Sequence, residues 1–112
     1  MKINLHRDET LIQEGGANLQ RRWEAVGGRL FLTNTRLVFS SHSFNVQNGS
    51  LELPLTAIRG VAPCWTKFLG FLPLAPNSLC ISTDGGEHRF VVHGRSKWAA
   101  AIALAQASSA RP

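Results

Sequence analysis

Residues 28–41 read GRLFLTNTRLVFSS, and their pattern decides the fold. Leu30 and Leu32 point to one side, and Arg29, Phe31 and Thr33 to the other. After the polar break Thr33-Asn34-Thr35, Leu37 and Phe39 resume on one side against Arg36, Val38 and Ser40. Period-two alternation on both sides of a short polar turn is the pattern of a β-hairpin with one buried face. The rest of the chain reads as further strands added to this hairpin, followed by one helix.

Upstream, residues 1–9 are a polar lead-in. Thr10–Glu14 is a short strand ended by Gly15-Gly16, and residues 17–26 form a second strand before Gly27-Gly28. Both glycine pairs read as turns, and Gly27-Gly28, between apolar runs, suits a tight turn that needs positive φ. Downstream, Phe44 and Val46 have strand spacing, and Asn48-Gly49 is a strong hairpin signal. Leu51, Leu53 and Leu55 alternate with Glu52 and Pro54. Pro54 has no amide hydrogen to donate, which places this strand at an edge or a bulge. Residues 56–62 turn and begin another strand, whereas residues 63–76 (PCWTKFLGFLPLAP) break the pattern.

Ser78–Thr83 and His88–His93 are strands joined by Asp84-Gly85-Gly86-Glu87. Gly94–Ser108 is alanine-rich, which favours a helix. Trp98, Ile102 and Ala105 share one of its faces, so Trp98 is expected in the core. Trp23 stands beside a loop and fits surface or core equally. Six or seven short strands leave two edges and an apolar face exposed. Curling into a sandwich or barrel, with the helix over one opening, buries both.

A chain of 112 residues is one domain, expected to fill residues 1–112 with a core over roughly 9–107. It is long enough to fold without a disulfide or metal. Nine Arg and three Lys stand against seven acids, giving a net charge of +5 with no basic run longer than Arg21-Arg22. An excess this dispersed draws anionic partners only weakly. The N-terminus has no apolar signal region, and no stretch is apolar for long enough to span a bilayer. A cytoplasmic setting is expected, with peripheral contact at the inner membrane face compatible with it. In that setting Cys64 and Cys80, which lack metal-ligand spacing, read as free thiols.

Residues 28–39 closely resemble the G-R-L-Y-L-T-N-x-R-L-x-F signature of GRAM domains, which belong to the pleckstrin-homology superfold. The residues around it fit the same pattern. Leu53-Pro54-Leu55-Thr56-Ala57-Ile58 is similar to the family's I-P-L-x-x-I segment, and Asn77-Ser78-Leu79-Cys80-Ile81 to its N-x-L-x-I strand. The resemblance covers residues 9–105 and is of a bacterial-type, stand-alone form. It implies a mainly β fold: a partly open, seven-stranded barrel of two orthogonal antiparallel sheets, capped by the C-terminal helix. It also implies a binding module for membranes, phosphoinositides or proteins.

Two groups of residues are candidates for that binding. Many pleckstrin-homology domains grip headgroups with basic residues around the first two strands, where this chain has Arg21, Arg22 and Arg29. The usual second basic position, two residues past Arg29, is Phe31, so that motif is incomplete. The second group is Trp65, Lys67, Phe68, Leu69, Phe71, Leu72 and Leu74. Six large apolar side chains there make a sizeable patch unless they are covered. The patch suits a protein partner or a homo-oligomer interface, a membrane-inserting loop, or a flap that completes the core.

No catalytic, cofactor or metal site is expected, and the chain reads as non-enzymatic. His6, His42, His88 and His93 lack ligand spacing, and no nucleophile stands beside a base and an orienting group. Nucleic acid is a poor fit, because arginines and aromatics are not interleaved on one sheet face. Docking of a protein or a second copy through the 65–74 segment is the leading expectation. Anionic-lipid binding through the three arginines and the same segment is the alternative, and it requires both groups at one end of the barrel.

Overall fold

The computed structural model describes residues 3–21, 24–41, 50–68 and 72–109. For residues 21, 24–25, 65–68, 72–77 and 109 it describes the backbone alone. The expected strand over 42–47, the Asn48-Gly49 turn and Trp23 lie outside the described residues. Among the described residues, seven strands precede one helix. The strands are β1 (Leu11–Arg21), β2 (Glu24–Thr33), β3 (Arg36–Ser41), β4 (Ser50–Pro54), β5 (Ile58–Phe68), β6 (Leu72–Thr83) and β7 (Gly86–Val92), and the helix α1 is Arg95–Ser109. A single 3-10 turn, Leu55–Ala57, joins β4 to β5.

All neighbouring strands are antiparallel, in the order β4-β3-β2-β1-β7-β6-β5. They form one continuous hydrogen-bonded sheet, with β1 joining the two halves where two sheets were expected, and the sheet is not closed. β4 and β5 are its edges, and Pro54 sits on the edge strand β4, as its missing amide requires.

The 28–41 hairpin is β2–β3, with Leu30 opposite Phe39 and Leu32 opposite Leu37. These four face the core with Leu19, Leu53, Leu79, Ile81, Phe90 and Ile102. Phe39 and Phe90 meet inside it, ring centroids 5.6 Å apart, linking β3 to β7 across the bent sheet. Each such side chain, fully buried, contributes about 1.5–3 kcal/mol. α1 lays Trp98, Ile102 and Ala105 onto this core, as its spacing predicts. Gln106 Nε2 donates to the carbonyls of Leu55 (3.2 Å) and Ile58 (3.0 Å), tying the helix to the turn before β5.

Four expectations are corrected. The first concerns glycine. Gly15-Gly16 and Gly27-Gly28 lie inside β1 and β2, not in turns; among the described residues the glycines with positive φ are Gly86 and Gly94. What Gly15 and Gly28 supply is a missing Cβ. A Cβ on Gly15 would rest 3.5 Å from Trp98 Cζ2, an ordinary contact. A Cβ on Gly28 would overlap the Ser40 carbonyl oxygen and lie 2.8 Å from Phe39 Cζ. Gly28→Ala is therefore expected to cost about 1–3 kcal/mol by forcing β2 and β3 apart. Gly15→Ala should be close to neutral. Urea unfolding of the two variants checks this, and equal midpoints would contradict it.

Second, the N-terminal segment is not a free lead-in. The outer face of β2–β3 is covered as well as the inner one: Phe31 is 1% and Val38 5% exposed. Residues 3–9 lie over that face, and Glu9 is buried there. Third, the irregular stretch from Pro63 continues both strands of the β5–β6 hairpin. Prolines are tolerated there because β5 is an edge strand and β6 has lost β7 as a neighbour beyond Ser78. Fourth, Cys64 and Cys80 are joined by a disulfide. Their strands pair Cys64 with Ser78 and Ala62 with Cys80, which sets the two cysteines diagonally across the ladder.

Candidate functional site

The expected binding residues fall at two separate places. Arg21 ends β1, and Arg22 lies outside the described residues. Arg29 is well inside β2, opposite Gly16 and about 16 Å along the strand from Glu24. Its Nε donates to Glu14 Oε2 at 3.0 Å, with both side chains 40% exposed. An exposed pair of this kind contributes little to stability, but it engages Arg29 with a carboxylate. Phe31 is buried and unavailable to a headgroup.

The apolar segment is carried by the β5–β6 hairpin. Trp65, Lys67 and Phe68 are on β5, and Leu72 and Leu74 on β6; Leu69 and Phe71 lie outside the described residues. The β6–β7 ladder runs from Thr83↔Gly86 to Ser78↔Val91 and stops. Past Ser78, the described pairing of β6 is with β5 alone: Thr66↔Ala75, Lys67↔Pro73 and Phe68↔Leu72. The two strands thus leave the seven-stranded sheet as a two-stranded ribbon, and the long axis of the molecule measures 43 Å against 29 and 25 Å.

At the ribbon's base, the disulfide joins its two strands. Arg95 Nη1, at the start of α1, donates to the carbonyls of Cys64 (2.7 Å) and Ser78 (3.4 Å).

The antiparallel order fixes which ends these elements occupy. β1 runs alongside β7 with Gln20 opposite Arg89 and Ala17 opposite Val92. The end of β1 at Arg21 therefore lies beside the start of β7, at the end of the sheet where β6 turns into β7. The other end of β6, at Leu72, carries the ribbon. Arg21 and the ribbon sit at opposite ends of the sheet.

One cluster gives no signal in the sequence pattern. Glu9, with its side chain 1% exposed, accepts from Arg36 Nε (2.7 Å) and Nη2 (3.0 Å), Thr33 Oγ1 (2.6 Å), Thr35 Oγ1 (2.9 Å) and the His6 amide (2.8 Å). Arg36 reaches on to Glu52 Oε1 and the Asn4 carbonyl, both at 2.7 Å. The Arg36 guanidinium, followed by the hydroxyl and amide donors, holds the Glu9 carboxyl well below the usual carboxylate range, against burial that pushes it up. Glu9 in turn raises Arg36.

Asn34 completes the clamp, accepting from the Thr10 amide (2.8 Å) and donating to the Asp8 carbonyl (3.3 Å). The polar residues of the T-N-x-R signature thus bind residues 4–10 onto the sheet. A pocket of about 340 Å³ opens beside the clamp, between Leu5, His6, Phe31, Val38 and the Arg36–Glu52 pair. Its Arg36 and Glu52 side chains are paired with one another, part of the same ion-pair network that holds Glu9. Among the described residues no group of three or more His, Cys, Asp or Glu could hold a metal.

Comparison with known proteins places this architecture. The family model of the GRAM domain matches residues 1–90. No curated protein sequence matches the chain. Among solved structures, the C-terminal domain of an unknown protein from Leishmania infantum superposes with a TM-score of 0.68 at 16% identity, covering 90% of this chain and 87% of that one. The Vps36 N-terminal PH domain gives 0.66 at 20% identity, covering 95% and 85%. The human ARAP2 N-terminal PH domain gives 0.67 at 14%, covering 88% and 81%. These likenesses show a PH-like fold, and the match to the family model shows that the chain belongs to the GRAM domain family, a generally non-catalytic group of interaction modules for lipids or proteins.

Proposed function

We propose that this chain is a non-enzymatic docking module that engages a protein partner, or a second copy of itself, through the apolar 65–74 segment, whose described parts are the two strands of the ribbon. The observation that carries the reading is the ribbon's departure from the sheet. Two antiparallel strands alone are marginal in water. Here such a pair carries Trp65, Phe68, Leu72 and Leu74, a composition suited to the apolar centre of an interface. β5 is also an edge of the described sheet, the kind of position another strand can join.

The lipid reading through Arg21, Arg22 and Arg29 draws less support. Arg29 is engaged by Glu14, and the end of β1 lies away from the ribbon. On this reading the chain works in the cytoplasm; among the described residues no helix is long and apolar enough to cross a membrane.

Light scattering over a concentration series tests the proposal against Phe71→Asp. The wild type is expected to gain mass with concentration, and the variant to stay monomeric. Neither should pellet with neutral or anionic vesicles. A wild type that is monomeric throughout and pellets with anionic vesicles would overturn the docking reading in favour of lipid.

A further inference from the structure

The disulfide stands where the ribbon leaves the sheet. Cys64 pairs with Ser78, the last residue of β6 that β7 supports, and the register slips between Cys64 and Thr66. The bond crosses this junction with Cα atoms 6.0 Å apart. It is therefore the last covalent or three-stranded constraint before the two strands continue alone.

Its surroundings make one sulfur reactive. Cys80 is 6% exposed, whereas Cys64 is half-buried, so an incoming sulfur meets Cys64 first. Arg89 Nε–H donates to Cys64 Sγ at 3.5 Å. A guanidinium beside a sulfur favours the thiolate, the species that attacks a disulfide. In a reducing compartment a disulfide is characteristically transient and regulatory.

We propose that Cys64–Cys80 is a thiol–disulfide modification site, entered through Cys64, whose closure fixes the ribbon for docking and whose opening releases it. This rests on the reading of the ribbon as the docking element. The oxidant is a small-molecule disulfide of the glutathione class. The Cys64 thiolate attacks one of its sulfurs, forming a mixed disulfide and expelling one thiolate. The Cys80 thiolate then attacks Cys64 Sγ, closing the bridge and expelling the second. Two protons leave the protein thiols, and their two electrons reduce the glutathione disulfide to two thiols. Reduction runs the same steps backwards. Closed, the ribbon is held in one geometry before a partner arrives, and less ordering remains to be done on binding. Open, it is a two-stranded extension of marginal stability.

The full chain is equilibrated in buffers of varied reduced and oxidised glutathione, quenched in acid and alkylated, and its thiols are counted by mass. The pair is expected to pass from closed to open across that range. With oxidised glutathione, Cys80→Ser should trap a mixed disulfide on Cys64, and Cys64→Ser should react at least tenfold more slowly at Cys80. Arg89→Gln should slow trapping about threefold, because the loss of thiolate is partly offset by the greater nucleophilicity of a less acidic thiol. Amide exchange over residues 64–68 and 72–77 of the wild type is expected to quicken at least tenfold on reduction.

A bridge that stays closed at every glutathione ratio, or that opens without changing ribbon exchange, overturns the proposal. Light scattering of both redox forms separates it from the docking reading. Assembly that is equal in both forms leaves docking standing and removes the regulation. A monomer in both forms, with the expected redox and exchange behaviour, removes docking to a second copy and keeps the modification site.

Discussion

Trp98→Ala is expected to lower the unfolding free energy by about 3–5 kcal/mol, the cost of emptying a large aromatic site that its neighbours cannot refill. Trp98 is 4% exposed, one turn before the fully buried Ile102. The site is built on two sides. On β1, Gly15 leaves the space into which the indole edge reaches, and any side chain larger than a methyl there would meet Trp98 Cζ2. Along the helix, Gln106 holds the carbonyls of Leu55 and Ile58, so α1 is fastened to the turn before β5 while its indole presses on β1. The helix thereby covers the open side of a sheet whose edge strands are not paired to each other. Truncating the indole leaves a cavity between elements fixed from two directions, which cannot collapse without moving the helix. Urea unfolding gives the measurement. A midpoint loss equivalent to under about 1 kcal/mol would show that the helix packs without its plug.

What is legible in the sequence follows from where each signal resides. The β2–β3 hairpin and α1 carry their own periodicity, so spacing alone assigns Leu30, Leu32, Leu37, Phe39, Trp98 and Ile102 to the core, where they lie. The errors all involve a partner far away in sequence. Gly28 looks like a turn residue locally; its reason is the carbonyl of Ser40 on the next strand. Arg36 alternates to the outer face, and nothing local shows its burial, because the residues that bury it, Asn4 and Glu9, lie 32 and 27 positions upstream. Compartment alone makes Cys64 and Cys80 free thiols, whereas strand register decides their bonding. The 65–74 segment shows its apolar composition but not its form. A strand pair detached from the sheet has no core face to impose alternation, so its sequence carries no period to read.

Glu9→Gln is expected to cost about 3 kcal/mol at pH 7, because it removes one partner from a buried ion pair and leaves the Arg36 guanidinium, 10% exposed, with the half-exposed Glu52 as its remaining carboxylate. The pH dependence gives the sharper test. In the unfolded chain Glu9 titrates near its ordinary value of 4.5, while in the folded chain Arg36 foremost, and then the Thr33, Thr35 and His6 donors, hold it far lower. Above the ordinary value both states are ionised, and the clamp contributes in full. As pH falls below it, the unfolded chain takes up a proton that the folded chain refuses, so this contribution drains away on the acid side, by up to about 1.4 kcal/mol per pH unit. The glutamine variant lacks that proton uptake. The gap between wild type and variant should therefore be widest from about pH 5 to 7 and narrow steadily toward about pH 3, read from urea midpoints across the series. Glu9→Leu combined with Arg36→Met should recover much of the loss, since neither buried charge remains and Glu52 returns to water. A gap that stays constant with pH would mean that Glu9 acts through size and hydrogen bonding rather than charge, and the clamp on residues 4–10 would have to be redrawn as a neutral one.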